Sequence, residues 1–274
     1  MHADLHIHTT YSDGLLTPQE IIEAASRTGI GIISITDHDS LDGCAAAREY
    51  LRSTGRNVKI IAGIELGTQF HEASVHVLGY HIRSDYAPLN LRIAELRNLR
   101  EKRLRDMIAK VHSLGYNVKV TPTEMLGRAY GRPHVAKALV DEGYFADTEK
   151  VFEVLLGEGK PAYMPQPKLS TAEAVALIHD AGGIACLAHP SEFSSLSIVN
   201  ELLADFSFDG LEVWHPSASG EDVRRWLNLA GKHNLTVCGG SDFHGGQARY
   251  PRLFGEYFVL YDDVKSVIEY KYRQ

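Results

Sequence analysis

The feature of this sequence that most constrains its fold is the alternation of short apolar segments with amphipathic helices. Apolar runs such as "GIISITDHD" (31–39) have the length and the β-branched composition of buried strands, and helical periodicity fills most of the intervals. Strands separated by helices pair in parallel, so the pattern predicts an α/β fold. Seven strands favour a distorted (βα)7 barrel over a short open sheet. The seven runs lie at residues 3–9, 31–39, 58–66, 74–82, 183–190, 208–216 and 235–245.

Local signals at both ends of this series refine the prediction. The first helix has a capping box, with Thr17 as N-cap, Pro18 at the first helical position and Glu20 closing the box, and it ends at Gly29. An apolar piece at 256–263 is either an edge strand or an eighth strand of the barrel.

A long interruption of the strand–helix pattern spans residues 91–165. It opens with apolar residues at helical spacing and returns through the Gly- and Pro-rich "GEGKPAYMPQPK". Residues 91–120 hold eight Lys or Arg and three Asp or Glu, a balance of +5, so the remaining chain carries −12. We predict a barrel domain formed by 1–90 and 166–274, and a small helical insertion at 91–165 that lies as a lid over the C-terminal face of the barrel.

Composition argues against several classes of partner. The net charge of −7 argues against a protein that coats long nucleic acid or binds membranes through a polybasic surface. The longest apolar run, "GIGIISI", is too short to span a bilayer, and we expect no signal peptide before Asp4. The three cysteines form neither a disulfide framework nor a C-x-x-C motif, so we expect reduced, mostly buried thiols and a cytoplasmic location.

The chain contains 14 histidines, and many of them fall at the ends of predicted strands. In "DLHIHTTYSDG", His6 and His8 project to one face of a strand because side chains alternate along it. The C-terminal ends of parallel barrel strands converge on one face, so the strand-end residues are predicted to meet there. They are His6, His8, Asp37, His38, Asp39, Glu65, His189, His215, Asp242 and His244, with His76 inside strand four.

Imidazoles and carboxylates that converge on one small volume require interaction partners, and divalent metal ions can serve as those partners. Imidazole together with carboxylate suits zinc, manganese or iron, and the absence of cysteine at these positions argues against a closed structural zinc site. The candidate ligands exceed what one ion can use, which indicates two or three ions with a carboxylate such as Glu65 bridging. Closely spaced ions are typical of displacement at phosphorus.

Six motifs in order resemble those of the PHP (polymerase and histidinol phosphatase) family. The resemblance runs over nearly the whole chain and is strongest to the nucleoside 3′,5′-bisphosphate phosphatases and short-RNA 5′ exonucleases. The motifs are "DLHIHTTYSDG", "ITDHDS", "GIEL", "HVLGY", "LAHP" and "GGSDFHG". The resemblance implies the seven-stranded PHP barrel, a phosphoric ester hydrolase activity and a trinuclear site of Mn²⁺, Zn²⁺ or Fe²⁺.

The resemblance also implies a ligand set for each ion. The first would be bound by His6, His8, Glu65 and Asp242, the second by Glu65, His76 and His189, and the third by Asp13, His38 and His244. A water between the first two ions would lose its proton near neutral pH, and the hydroxide would attack phosphorus in line. His215 is a candidate general acid or, alternatively, a satisfied hydrogen-bonding histidine. Asp4 and Asp39 are expected to orient ligand imidazoles.

The residues that bind the substrate are predicted to lie in the segments "GRPHVAKAL" and "GEGKPAY". Arg132 precedes Pro133 at a predicted helix N-terminus, a suitable place to bind phosphate, and His134 and Lys160 are candidates to join it. Alternatively, Arg132 is a surface arginine that caps structure. The resemblance implies that these residues bind the second phosphate of a bisphosphate or the 5′ end of a short RNA. The expected partner is thus a phosphorylated small molecule, a nucleotide or short oligonucleotide.

Three other functions are alternatives to a metal-dependent nucleotide phosphoesterase. An amidohydrolase-type C–N hydrolase also begins with H-x-H, but it requires a metal-bridging lysine where this chain offers Glu65 and His76. A histidinol-phosphate phosphatase of the same family is disfavoured by Asp13, where that branch tends to have histidine, and by the basic insertion. A non-catalytic, metal-stabilised binding domain is disfavoured by the complete ligand set.

Overall fold

The computed structural model describes residues 1–120, 131–165, 167–246 and 250–271. The strands are β1 (His2–Ile7), β2 (Ile30–Ile35), β3 (Lys59–Phe70), β4 (Ala73–Tyr80), β5 (Leu169–Ser170), β6 (Ile184–Leu187), β7 (Gly210–Trp214), β8 (Thr236–Gly239) and β9 (Val259–Leu260). The helices are α1 (Pro18–Thr28), α2 (Asp42–Thr54), α3 (Ala87–Ser113), α4 (Arg132–Asp141), α5 (Thr148–Val151), α6 (Thr171–Asp180), α7 (Leu196–Asp205), α8 (Gly220–His233) and α9 (Tyr261–Ile268). A π-helical turn at Phe152–Leu156 follows α5, and a 3-10 turn at Pro190–Glu192 follows β6.

The strands form one sheet that curls into a nearly closed barrel. Its order is β8-β7-β6-β4-β3-β2-β1-β9, with β5 paired to β3. Beyond β8 the chain returns to β1, where Ile7 pairs with Phe243 in parallel and the His8 amide donates to the Phe243 carbonyl at 2.9 Å. The predicted α/β fold with a distorted barrel is therefore confirmed. The apolar piece at 256–263 forms the short edge strand β9, antiparallel to β1, and the start of α9.

The prediction of an all-parallel sheet is wrong at β4. This strand runs antiparallel to both β3 and β6. Only His71 and Glu72 separate β3 from β4, whereas a parallel crossover needs roughly a dozen residues, so the two strands form a hairpin. In its register Gly67 lies opposite His76, which puts Glu65 and His76 on the same face of the hairpin.

Helix α1 begins and ends as predicted. The Thr17 hydroxyl accepts from the Glu20 amide at 3.2 Å, and the Glu20 carboxylate accepts from the Thr17 amide at 2.8 Å. Gly29 ends the helix in the left-handed conformation at φ 76°, which glycine adopts without steric cost. Its buried face, including Ile21 and Ile22, packs with strand residues such as Ile33.

The chain divides into two compact units. The barrel unit comprises Met1–Leu91 and Lys168–Gln274, and the helical unit comprises Arg92–Pro167. The barrel unit has one apolar cluster around Leu5, Ile61 and Leu78 that includes α9, and a second between the sheet and helices α1 and α2. The helical unit has a core of its own, which contains Leu104, Met107, Val111, Val135, Leu139 and Leu155. The lid over the barrel stays a prediction.

Two further predictions concern the thiols and membranes. Cys44, Cys186 and Cys238 are free and buried, as expected. Among the described residues, no helix combines the length and the apolar character needed to cross a bilayer.

Candidate metal centre

The C-terminal end of β1 presents two buried imidazoles to two carboxylates from distant strands. The Nε2 atom of His6 lies 3.5 Å from Glu65 Oε2 and 3.3 Å from Asp242 Oδ1. The Nε2 atom of His8 lies 3.1 Å from each of the same two oxygens. Ligands bonded at about 2.1 Å around one ion are separated by roughly 3.0–3.5 Å, so these four atoms have the spacing of a metal site.

The hydrogen bonding of these side chains fits a cation. The Nε2 atoms of His6 and His8 and the Oε2 atom of Glu65 are buried, and none makes a hydrogen bond within the described part of the chain. Buried polar atoms in this state cost free energy unless a ligand satisfies them. Because two imidazole nitrogens and a carboxylate oxygen are all electron-pair donors, a divalent ion satisfies all three at once.

Glu65 also faces a second set of ligands through its other oxygen. Glu65 Oε1 lies 2.8 Å from His76 Nδ1 and 3.3 Å from His189 Nε2, and these two nitrogens are 3.1 Å apart. In addition, His38 Nδ1 lies 3.0 Å from Glu65 Oε2. One carboxylate thus reaches ligand atoms from β1, β4 and the ends of β2 and β6, the arrangement of a bridging ligand.

A third group forms beside His8. Asp13 Oδ1 lies 3.3 Å from His244 Nε2 and 3.6 Å from His8 Nδ1, and Asp13 Oδ2 lies 4.0 Å from His38 Nε2. The structure therefore brings all nine predicted ligands together. It differs from the predicted sets in one respect: His8 and His38 each adjoin two groups, because their rings present both nitrogens.

The electrostatics of the cluster favour added positive charge. Burial alone would raise the pKa of Glu65, but the surrounding imidazoles, His38 first, hold it well below its usual range. Burial also lowers the pKa of His8, yet its contacts with the Asp242 and Glu65 carboxylates raise that pKa to about 10. The carboxylates are thus held ionised among imidazoles, which is the state in which they bind a metal ion.

Strained backbone occurs at the same place. Three non-glycine residues here have positive φ: Asp39 at 46°, His189 at 27° and Asp242 at 48°. Such conformations persist where the surrounding structure over-determines them, and they cluster at functional sites.

The predicted substrate residues lie in the helical unit. Arg132 is the first residue of α4, and its guanidinium carbon lies 5.8 Å from the centre of the Phe152 ring and 5.3 Å from that of Tyr163. Nδ1 of His134 accepts from the Gly131 amide at 3.4 Å. Lys160 is exposed, and its carbonyl accepts from the Tyr163 amide. Arg132 and His134 thus share the first turn of α4, and nothing in the described residues joins the Lys160 side chain to them.

Sequence reasoning missed Arg103, which interacts electrostatically with Arg132. Arg103 is 8% exposed, its Nε donates to the Met164 carbonyl at 2.8 Å, and its Nη2 makes no hydrogen bond to the described residues. Burial, together with the charge of Arg132, lowers the pKa of the Arg103 guanidinium. A buried cation beside another cation favours an anionic ligand.

The profile of the PHP domain matches residues 4–180, more than half of the chain. The chain belongs to the PHP family.

Relatives of this PHP protein match most of its length. The 5′-3′ exoribonuclease Rnm of Salmonella typhimurium is 33% identical over 248 residues, which cover 88% of this chain and 84% of the relative. The 3′,5′-nucleoside bisphosphate phosphatase of Chromobacterium violaceum is 32% identical over 252 residues, covering 88% and 86%. A solved structure described as a metal-dependent phosphoesterase, from Bifidobacterium adolescentis, superposes with a TM-score of 0.80 at 30% identity, covering 97% of this chain and 95% of that one. The predicted resemblance is confirmed, and this PHP protein is a metal-dependent phosphoric ester hydrolase.

The prediction for Asp4 is wrong in its detail. Its carboxylate accepts from the Ser241 amide at 2.9 Å, from the Ser241 hydroxyl at 2.6 Å and from the His6 amide at 3.3 Å. Asp4 therefore holds the backbone of His6 and Ser241 in place and accepts no hydrogen bond from an imidazole ring among the described residues. It precedes His6 by two residues in β1, so it lies farther from the C-terminal end of the strand than the candidate ligands do. Burial raises the pKa of Asp4 to about 6 despite these donors.

The protonation of His215 follows from its neighbours. The Ser217 amide donates to His215 Nδ1 at 3.1 Å, so this nitrogen has the lone pair and the ring proton is on Nε2. Nε2 then donates to Asp242 Oδ2 at 3.3 Å. This arrangement matches the hydrogen-bonding alternative for His215, and the general-acid alternative stays a prediction.

Glu212 is the second residue that sequence reasoning missed. It lies in β7, is fully buried, and its carboxylate contacts both His6 and the backbone of His189. A lone carboxylate between Leu211 and Val213 in an apolar strand was the available signal, because buried acidic residues are rare unless they are paired.

Proposed function

We propose that this PHP protein hydrolyses phosphate monoesters of small nucleotides, namely nucleoside 3′,5′-bisphosphates, and that it also acts at the 5′ ends of short RNA. The observation that carries the proposal is the convergence of nine imidazole and carboxylate side chains, Glu65 among them, in three adjoining groups. The two curated relatives named above, one a bisphosphate phosphatase and one an exoribonuclease, support this substrate class. We further propose a cytoplasmic location, supported by the three free buried thiols.

We propose three divalent ions, drawn from Mn²⁺, Zn²⁺ and Fe²⁺, at the three groups of ligands. The ions supply Lewis acidity toward the phosphoryl oxygens and a water of lowered pKa. The protein's own residues fix where this happens. His6, His8 and Asp242 present their donor atoms from rigid strand ends, and Glu65 lies between the groups. Preorganised ligands of this kind need no rearrangement during the reaction.

We propose that Arg132, together with His134 and Lys160, binds the phosphate that is not hydrolysed. The buried Arg103 beside Arg132 supports an anion at this place, and the two aromatic rings limit the directions that the Arg132 guanidinium can take. A guanidinium pairs with a phosphate through charge-assisted hydrogen bonds. A substrate with a second phosphate would therefore bind more tightly than one without it.

The deciding experiment compares three substrates at saturating Mn²⁺: a nucleoside 3′,5′-bisphosphate, histidinol phosphate and a simple aryl phosphate. We expect kcat/KM to be highest for the bisphosphate by about 10- to 100-fold, the effect of one or two charge-assisted hydrogen bonds. Enzyme from which a chelator has removed the metal ions is the control for a contaminating phosphatase. Equal or higher kcat/KM for histidinol phosphate would instead support the rival phosphatase, and no release of phosphate from any of the three would reject the proposal.

A further inference from the structure

Glu212 occupies a central position that no ligand set includes. Its side chain is 0% exposed and extends from the middle of β7. Oε1 lies 2.9 Å from His6 Nδ1, and Oε2 accepts from the His189 backbone amide at 2.7 Å. One carboxylate therefore links β1 to the turn after β6, although these segments are far apart in sequence.

The first contact determines the form of the His6 ring. An ionised carboxylate only accepts, so Nδ1 of His6 must have the proton and donate it to Glu212. The lone pair of the neutral ring is then on Nε2, the atom that lies 3.3 Å from Asp242 Oδ1 and 3.5 Å from Glu65 Oε2. Glu212 thus aims the electron pair of His6 at the first group of ligands.

The second contact supports the strained backbone of His189. This residue has φ 27° and ψ 60°, which is sparsely populated for a side chain larger than glycine. The backbone bond to Glu212 holds that conformation, in which His189 Nε2 lies 3.3 Å from Glu65 Oε1 and 3.1 Å from His76 Nδ1. Glu212 thus aims His189 at the second group of ligands.

We propose that Glu212 is a positioning residue that sets two neighbouring ion sites at the same time, through the side chain of His6 and the backbone of His189. The inference rests on the proposed three-ion function and adds a dependence between sites. When Glu212 is altered, the affinity of the protein for both ions next to Glu65 falls. The group formed by Asp13, His38 and His244 has no contact with Glu212 among the described residues and keeps its ion.

The test is Glu212→Gln, which conserves volume but leaves one acceptor oxygen for two donors. Metal content is measured at buffered free Mn²⁺ concentrations by elemental analysis, without reference to activity. We expect two of three ions to bind about 10- to 100-fold more weakly, as is typical when a partner of a metal-ligating histidine is removed. The variant Asp13→Asn provides the comparison, since it should lower the occupancy of one ion only. Glu201→Gln, 51% exposed on α7, is the matched control for the loss of one negative charge.

Kinetics separate positioning from a merely structural role. Excess Mn²⁺ should restore kcat of Glu212→Gln, and KM for an aryl phosphate should stay within twofold of wild type. A structural role would lower the active fraction without moving the metal concentration at half-maximal activity. If Glu212→Gln fails to fold by circular dichroism, Glu212→Asp replaces it: the charge stays and the carboxylate is withdrawn by one methylene, so affinity for the same two ions should fall.

The outcomes distinguish this inference from the proposed function. If wild type binds fewer than three ions, the proposed three-ion function fails. If wild type binds three ions and a folded Glu212 variant binds them with unchanged affinity, the inference is overturned. Loss of a single ion in Glu212→Gln would also overturn it, because the dependence between two sites is what is claimed.

Discussion

Glu65 is the residue on which most of the candidate metal ligands converge. Its two oxygens lie within 3.5 Å of nitrogens from five histidines, which are His6, His8, His38, His76 and His189. Its exposed fraction is 1%. A buried carboxylate in such surroundings stays ionised, and it can neutralise more than one cation.

Replacing Glu65 by Gln should reduce kcat on an aryl phosphate at least about 100-fold, since the change removes a ligand rather than a partner of one. Metal content should fall with it. Glu72→Gln, exposed in the turn of the same hairpin, is the control and should behave like wild type. Retention of more than a tenth of wild-type activity in Glu65→Gln would show that Glu65 is not a metal ligand.

Arg132 offers a test of how the second phosphate is bound. Arg132→Ala should raise KM for a nucleoside 3′,5′-bisphosphate about 10- to 100-fold, because a charge-assisted contact is lost, and leave KM for an aryl phosphate nearly unchanged. Lys137→Ala removes a charge from the same helix, where Lys137 pairs with Asp141, and is the control. Equal increases in KM for both substrates would contradict the assignment.

At the level of elements, two glycines set how closely the end of β8 approaches its neighbours, Gly240 toward β1 and Gly239 toward β7. A β-carbon at Gly240 would overlap the backbone nitrogen and the Cβ of His6, and one at Gly239 would lie 2.6 Å from the Trp214 carbonyl oxygen. The "GGSD" motif therefore has a steric basis, because only glycine permits the end of β8 to pass directly beside a ligand strand.

Gly240→Ala should destabilise the protein by about 1–3 kcal/mol, the usual cost of overpacking, and displace His6. Gly231→Ala, in α8 where a β-carbon meets nothing within 4 Å, should stabilise by about 0.5–1 kcal/mol. The measurement is chemical denaturation of both variants beside wild type. Equal effects of the same sign would show that crowding at β8 is not the cause.

The elements of this fold differ in how far their sequence predicts them. The limits of α1 were predictable because its caps lie within the helix's own sequence. The direction of β4 was not, because strand three was predicted to end at Leu66 whereas it continues to Phe70. Because of that error, the predicted interval between the third and fourth strands was too long to indicate a two-residue hairpin turn. Seven of the nine candidate ligands were predictable from residue type and position at strand ends, whereas Asp13 came only from the resemblance to the family. The partners of Glu212 and Arg103 lie in distant segments, so their contacts could not be predicted from local sequence.

At the level of the whole molecule, the barrel joins ligands from both ends of the chain. His6 and His8 come from the first strand, and Asp242 and His244 follow β8. Metal ions at this seam would crosslink the first and last parts of the barrel, so binding should stabilise the native state against unfolding.

Chelation should lower the midpoint of thermal unfolding by several degrees, because each ion present at 100 times its Kd contributes about 2.7 kcal/mol. Scanning calorimetry before and after EDTA, and after restoring Mn²⁺, measures the effect. EDTA already saturated with Mn²⁺ is the control for the chelator itself. An unchanged midpoint after complete removal of metal would contradict a structural contribution from the ions.

The β3–β4 hairpin has a consequence for protein engineering. Glu65 and His76 occupy one face of a hairpin closed by His71 and Glu72, so their relative placement is fixed by local register. Most of the other ligands come from segments brought together only by the closed barrel. The hairpin is therefore a portable fragment: grafted onto another antiparallel sheet, it would bring a carboxylate and an imidazole already in register, to which a designer need add only the remaining ligands.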